Sequence, residues 1–108
     1  MGRRAIICGA GIGGLATALA LLRAKFDVTL YEQADALEEL GAGLQLAPNA
    51  TRALSRLGAL EAVRAVSTKL DAVCALRGSD DALLVRMRLT DAERRWGAPY
   101  LASHRADL

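Results

Sequence analysis

The sequence is short of the side chains that build metal centres, disulfide frameworks and nucleic-acid surfaces. Its only cysteines, Cys8 and Cys74, lie far apart and belong to no CxxC or Cys/His array. A zinc site is therefore not expected, and we predict two buried thiols in a reducing cytoplasm. Fourteen Lys and Arg residues against twelve Asp and Glu leave a net charge of only +2. This small excess argues against a nucleic-acid partner.

Aromatic residues make up 4% of the chain, so a core must be built from Ala, Leu and Val. The 53% hydrophobic content excludes disorder, and 108 residues suffice for one domain. The uncharged run 5–22 superficially resembles an export signal, but four glycines interrupt it and weaken a continuous apolar helix. It is also marginal in length for a membrane span, so we expect no membrane association.

The first thirty residues predict a strand, a helix and a second strand. The segment Arg4 to Cys8 is apolar and β-branched and ends at a glycine, as buried strands often do. From Ile12 to Ala24, leucines and alanines recur at helical spacing. Asp27 to Tyr31 reads as the next strand. Such a βαβ unit has parallel strands joined by a right-handed crossover.

The rest of the chain predicts a short helical segment and a β-hairpin. A loop or single helical turn is expected over 34–40, and extended chain over 44–46. Helices are expected from Pro48 to Leu57, ended by Gly58, and from Leu60 to Val66. Alternating residues over 83–90 predict a half-exposed strand that pairs with 70–77. A final helix is expected to start at Ser103, and the fold class is therefore α/β.

A glycine-rich turn carries the main functional prediction. Gly9-Ala10-Gly11-Ile12-Gly13-Gly14 satisfies GxGxxG, follows a predicted strand and opens a helix. Gly9 permits the tight turn, Gly11 lets a pyrophosphate approach the backbone, and Gly14 lets the helix pack on the sheet. Glu32, at the end of the next strand, is placed to accept hydrogen bonds from ribose hydroxyls and to repel a 2′-phosphate. These features predict a dinucleotide site.

The motif alone does not choose between NAD and FAD, since both use this fingerprint. Three readings stay open on the residues: an NAD-dependent dehydrogenase, a flavin oxidoreductase, and a non-catalytic dinucleotide-binding module. No constellation of Ser, Cys or Asp supports His104, the single histidine, as an acid or base. We therefore predict no catalytic residue and no metal ligand.

Four segments in order resemble the FAD-dependent aromatic hydroxylases, typified by salicylate and hydroxybenzoate hydroxylases. The segments are GAGIGGLATALAL (9–21), YEQ (31–33), GAGLQLAPNA (41–50) and HRADL (104–108). The resemblance implies a Rossmann-like FAD/NAD(P)-binding unit. In the family, reduced FAD reacts with oxygen, and the flavin hydroperoxide transfers an oxygen atom to an aromatic acid or phenol. NAD(P)H supplies the electrons.

The resemblance also implies roles for particular residues. The pyrophosphate would lie on the glycine turn, and Glu32, followed by Gln33, would lie at the adenosine ribose. Residues 41–45, with Gly43 and Gln45, would form a loop beside the flavin, and Arg105 would contact the cofactor. The implied cofactor-binding set is Gly9, Gly11, Gly13, Gly14, Glu32, Gln33, Gly43, Gln45 and Arg105.

Two departures from the family stand out. Lys25 occupies a position where such sequences usually carry glycine, which weakens the end of the first helix. The second FAD motif of the family, a Gly-Asp pair, has no counterpart here, and neither does the substrate domain. We therefore interpret residues 1–108 as the N-terminal part of an FAD-binding domain, inactive in isolation. The sequence does not define the oligomeric state.

Overall fold

The computed structural model describes residues 2–37 and 41–108. Eleven helices and strands follow one another along these residues. They are β1 (Arg4–Cys8), α1 (Ile12–Arg23), β2 (Asp27–Tyr31), β3 (Gly43–Leu46), α2 (Pro48–Leu57), α3 (Leu60–Val66), β4 (Thr68–Lys69), β5 (Ala72–Leu76), β6 (Leu83–Arg88), α4 (Ala92–Trp96) and β7 (Leu101–His104), followed by a 3₁₀ turn (Arg105–Asp107).

The predicted βαβ unit is confirmed. Strands β1 and β2 pair in parallel, from Arg4 opposite Asp27 to Cys8 opposite Tyr31. Helix α1 connects them and ends at Arg23, one residue earlier than predicted. The carboxyl ends of both strands therefore meet at one edge of the sheet, where α1 begins.

The end of α1 shows how the chain accommodates Lys25. The Lys25 N–H donates to the Leu22 carbonyl and the Phe26 N–H to the Leu21 carbonyl, both at 3.0 Å. This pair of bonds defines a Schellman motif, which needs a left-handed residue at Lys25. Its φ of 65° is left-handed, at a cost of about 1–2 kcal/mol that glycine would not carry. The helix stops where glycine would stop it, but less favourably.

The second part of the chain surrounds a small core. Helices α2 and α3 form as predicted, and Gly58 ends α2 with a φ of 73°. Strand β7 pairs antiparallel with both β3 and β4. The buried side chains between this sheet and the helices are Leu46, Leu60, Val63 and Leu101. The described core is therefore built from aliphatic residues, as the composition predicts.

The prediction of a helix that starts at Ser103 is wrong. Ser103 lies in β7, is only 3% exposed, and pairs with Leu44 of β3. A 3₁₀ turn follows, in which the His104 Nδ1 accepts a hydrogen bond from the Ala106 N–H at 3.2 Å. Pairing with strands distant in sequence overrides the local helical signal here. The preceding helix α4 was also not predicted.

The predicted hairpin forms, with β5 and β6 antiparallel and a register shift between Ala75 and Leu76. The expectation of a half-exposed strand is wrong, because every residue of β6 is exposed. Directly opposed residues share a face, so Val73, Met87, Ala75 and Val85 form an apolar face, while Arg86 and Arg88 lie on the other. The prediction of two buried thiols is also wrong: Cys8 and Cys74 are free and exposed.

The described chain is elongated. Its radius of gyration is 17.4 Å, against about 13 Å for a compact domain of 100 residues. Several large apolar side chains are open to solvent, among them Ile6 at 71% exposure and Val85 at 60%. Across residues 2–37 and 41–108, no helix combines the length and the apolar character needed to cross a membrane.

The loop predicted after β2 can be followed only in part. Residues 34–37 follow irregular bends, as a loop would. The remainder of that prediction, over 38–40, lies outside the described residues.

Candidate dinucleotide cleft

The turn between β1 and α1 uses two of its glycines for backbone reasons. Gly9 has a φ of 100°, which side chains rarely tolerate, and its N–H donates to the Tyr31 carbonyl at 2.7 Å. A Cβ at Gly14 would overlap the Gly9 carbonyl oxygen. The helix thus begins directly against the strand, as the motif predicts.

Packing inside the chain does not require glycine at position 11, because a Cβ there would meet nothing within 4 Å. Gly11 is the N-cap residue of α1, and no side chain caps this helix end. The first N–H groups of a helix have no partner inside it and carry a partial positive charge. An anionic group can therefore approach the backbone closely at Gly11.

Glu32 links this turn to the chain that follows β2. Its Oε2 accepts a hydrogen bond from the Ala10 N–H at 2.6 Å, and its Oε1 accepts one from the Ala34 N–H at 3.0 Å. The bond from Ala10, followed by that from Ala34, holds the pKa of the Glu32 carboxyl below its ordinary value. The ionised carboxylate still has lone pairs for further donors.

One cleft of about 260 Å³ brings the predicted groups together. Gly11 and Glu32 lie on its wall, and Arg105 reaches it from the turn after β7. The remaining lining residues are Ala10, Ile12, Leu15, Ala34, Ala36, Leu37, Ala106 and Leu108. A helix N-terminus, a carboxylate and a guanidinium therefore border the same space.

A second, more open concavity of about 500 Å³ lies beside this cleft and shares Glu32 with it. Its other lining residues are Cys8, Gly9, Tyr31 and Gln33. Gln33, predicted to accompany Glu32, thus lines this second concavity and not the cleft, and its role at a cofactor stays a prediction. Glu32 stands at the boundary between the two concavities.

Gly43 and Gln45 are placed differently from the expectation of a loop. Both lie in β3, which pairs with β7, and neither lines the two concavities above. The Gln45 Oε1 instead accepts a hydrogen bond from the Tyr100 hydroxyl at 3.0 Å. Gly13, in the first turn of α1, also lines neither concavity. Gly14 likewise lines neither of them. The cofactor roles of these residues, like those of the other predicted site residues, stay predictions.

The sequence did not indicate that the Ala10 N–H binds Glu32. The only available signal was geometric, since parallel strands end at the same sheet edge and the residues that follow them are neighbours. Leu37 and Leu108 supply apolar wall to the cleft. The sequence analysis assigned neither of them to the site, although Leu108 belongs to the HRADL segment.

The hydrogen bonds to Glu32 predict a pH-dependent contribution to stability. Because the folded-state pKa is lowered from 4.5, the ionised carboxylate stabilises the fold above the unfolded-state pKa. This contribution is lost as the pH falls through the lowered value. Glu32→Gln should therefore destabilise the chain near neutral pH and matter less in acid. Urea unfolding of both proteins at about pH 6 and about pH 3 measures this.

The wild-type chain also contains Glu93, whose pKa is lowered by its hydrogen bond from Arg64. Glu93 is present in both proteins, so its titration cancels in their difference. An equal gap between wild type and Glu32→Gln at the two pH values would contradict the prediction.

Comparison with known proteins identifies the fold of the β1–α1–β2 unit. A family model described as an NAD(P)-binding Rossmann-like domain matches residues 7–37, which comprise the end of β1, the glycine turn, α1, β2 and the residues that follow β2. The fold of this unit is therefore Rossmann-like, as predicted from the sequence.

Three similar proteins narrow the class further. The chain is 44% identical over 106 residues to the 3-amino-4-hydroxybenzoate 2-monooxygenase PtnB3 of Streptomyces platensis, covering 97% of this chain and 27% of that protein. It is 42% identical to the 3-hydroxybenzoate 6-hydroxylase of Polaromonas naphthalenivorans, covering 95% and 26%. The structure of Klebsiella pneumoniae HpxO complexed with FAD and uric acid matches with a TM-score of 0.82 and 27% identity, covering 97% and 26%.

The fold and the cleft thus define a Rossmann-like unit whose relatives are aromatic-ring monooxygenases. The resemblance to the FAD-dependent aromatic hydroxylases, inferred from four sequence segments, is confirmed. The chain spans about a quarter of the length of the curated relatives that it matches.

Proposed function

We propose that this chain binds the ADP half of FAD, as part of the FAD-binding domain of an aromatic-ring monooxygenase. The substrate class would be a small aromatic acid or phenol, with NAD(P)H as the electron donor. One observation carries the proposal: Gly11, Glu32 and Arg105 line a single cleft, where the start of α1 meets the end of β2. The relatives, which hydroxylate aromatic acids by name, support the reaction class.

The groups around the cleft fit a nucleoside diphosphate. A diphosphate suits the open backbone at Gly11, the N-terminus of α1 and the positive charge of Arg105. A ribose suits the Glu32 carboxylate, whose two oxygens each use one lone pair on a backbone N–H. A volume of about 260 Å³ suits part of a dinucleotide rather than all of it.

The described residues would bind and orient the cofactor rather than react. Bound FAD supplies the redox and oxygen-transfer chemistry, and the protein supplies position and electrostatics. Glu32 would fix the adenosine end and would disfavour a 2′-phosphate through like charge. We assign no catalytic residue to this chain.

A cytoplasmic location is supported by the exposed free thiols of Cys8 and Cys74, which persist in a reducing compartment.

NAD in the same cleft is the second candidate. The observation that favours it is the family model itself, which describes an NAD(P)-binding domain over residues 7–37. Gly11 and Glu32 would hold the adenosine part of either dinucleotide in the same way. A direct comparison of the two ligands therefore decides between them.

The deciding experiment titrates the purified chain with FAD and with NAD. Flavin fluorescence follows FAD, and the shift in melting temperature follows both. We expect saturable FAD binding that Glu32→Ala weakens by about tenfold or more, because two charge-assisted hydrogen bonds to the ribose are lost. The matched control is Glu61→Ala on α3, whose side chain is 84% exposed and lies outside the cleft.

Binding of NAD with indifference to FAD would favour the second candidate. Equal FAD affinity in wild type and Glu32→Ala would place the ligand elsewhere on the chain. Saturation by neither dinucleotide would contradict the proposal for this chain.

A further inference from the structure

Gly41 lies against the side-chain stem of Arg105 more closely than any side chain at that position would allow. A Cβ on Gly41 would lie 2.7 Å from the Arg105 Cβ, 3.2 Å from its Cδ and 3.3 Å from its Cγ. Contacts under 3.0 Å essentially do not occur for real Cβ atoms, so one of the two segments would have to move. The space beside Gly41 is therefore occupied by the arginine stem.

Rotation of the arginine side chain would not relieve this contact. The nearest atom is the Arg105 Cβ, whose place is set by the backbone. That backbone is fixed in turn, because Gly43 pairs with His104 and the Arg105 N–H donates to the Ala42 carbonyl at 3.3 Å. Ser103, two residues earlier, is buried in the sheet. A side chain at Gly41 would therefore displace Arg105 itself or distort the end of the β3–β7 pair.

Gly41 differs in this respect from the other glycines of the described chain. At Gly43, the nearest atom to a Cβ is the Ser103 carbonyl oxygen at 4.0 Å, an ordinary contact. At Gly58, a Cβ would meet the flexible end of Arg23, which can swing away. Only Gly14 shares with Gly41, within residues 2–37 and 41–108, a close approach to atoms that cannot swing aside.

We propose that Gly41 is a positioning residue for phosphate recognition: its missing side chain lets Arg105 lie where it lines the cleft. The proposal rests on the proposed function, since it assigns the guanidinium of Arg105 to the diphosphate. Arg105, Gly11 and the start of α1 border the same space, and all three favour negative charge. Glu32 stands at the same cleft and suits the ribose, which carries no charge. The contribution of Gly41 should therefore concern the phosphates alone.

The test compares ADP with adenosine as ligands of the 108-residue chain. Gly41→Ala should weaken ADP binding by about tenfold, through loss of one charge-assisted contact, while adenosine affinity stays unchanged. Arg105→Ala should cause the same selective loss, and the double variant should lose no more than either single variant. Gly78→Ala is the control, because a Cβ there meets nothing within 4 Å and the residue lies in the hairpin turn. It should leave both affinities unchanged.

The outcomes separate this proposal from the proposed function. A wild-type chain that binds neither ligand would overturn both. A wild-type chain that binds ADP more tightly than adenosine, with the same ratio in Gly41→Ala, would overturn only the role of Gly41. Gly41→Ala could also lose affinity for both ligands while the other variants keep adenosine binding. The double variant Gly41→Ala/Arg105→Gly then tests whether the clash is the cause, because it removes the Arg105 Cβ that the added Cβ at position 41 would meet. Recovery of adenosine binding supports the contact, and continued loss overturns it.

Discussion

Gly14→Ala is expected to destabilise the β1–α1–β2 unit by about 3 kcal/mol and to abolish dinucleotide binding. The added methyl group would overlap the Gly9 carbonyl oxygen and lie 3.0 Å from the Gly9 carbonyl carbon. Gly9 cannot yield easily, because its φ of 100° and its hydrogen bond to the Tyr31 carbonyl fix the turn. The helix must then move away from the strand, which takes its N-terminus away from the cleft.

The neighbouring variant Gly13→Ala is the matched control for stability. A Cβ at Gly13 meets nothing within 4 Å, and alanine favours a helix over glycine by about 1 kcal/mol. In chemical denaturation, the free energy of unfolding of Gly14→Ala should therefore lie below that of the wild type. That of Gly13→Ala should equal or exceed the wild-type value. Equal destabilisation of the two would mean that α1 does not pack on the Gly9 carbonyl.

Leu101→Ala is expected to lower the free energy of unfolding by about 2–5 kcal/mol. Leu101 is 2% exposed and packs in the core with Leu46, Leu60 and Val63. It lies in β7, which joins β3 to β4 and leads directly into Arg105. Truncation leaves a cavity under this strand. The melting temperature and ADP affinity should therefore fall together, although Leu101 lies outside the cleft.

The control is Leu84→Ala, in the exposed hairpin, where leucine is 54% exposed. Exposed substitutions usually change stability by less than about 0.5 kcal/mol. Hydrogen exchange localises the effect, since the amides of β7 should lose protection in Leu101→Ala and keep it in Leu84→Ala. Retained protection of β7 in Leu101→Ala would contradict the assigned core.

The sequence predicted the parts of the fold that depend on near neighbours. Glycines mark the end of β1 and of α2, and apolar spacing defines α1, so their boundaries agree with the structure to within a residue. Strand β7 was missed because four residues carry little local signal and their partners in β3 lie far away in sequence. Ser103 read as a helix start for that reason.

Some residues of the candidate site could also be predicted from the local sequence, whereas the approach of others to the cleft depends on pairing between distant strands. Gly9, Gly11, Gly14 and Glu32 follow from the order of strand, turn and helix, which the sequence shows directly. The approach of Arg105 to this cleft depends on the pairing of β3 with β7, so spacing along the chain did not show it. The exposure of Cys8 was missed because alternation along a strand separates two faces without telling which face is covered.

The β5–β6 hairpin, which has an apolar face on one side and arginines on the other, also affects the solubility of the chain. Val85 and Met87 point to one side of β6, and Arg86 and Arg88 to the other. Cationic residues beside aggregation-prone strands act as gatekeepers, because their repulsion opposes growth of an intermolecular sheet. Dissolved ions screen that repulsion, with a range of about 8 Å at physiological salt. We therefore expect the purified chain to aggregate more readily as the ionic strength rises.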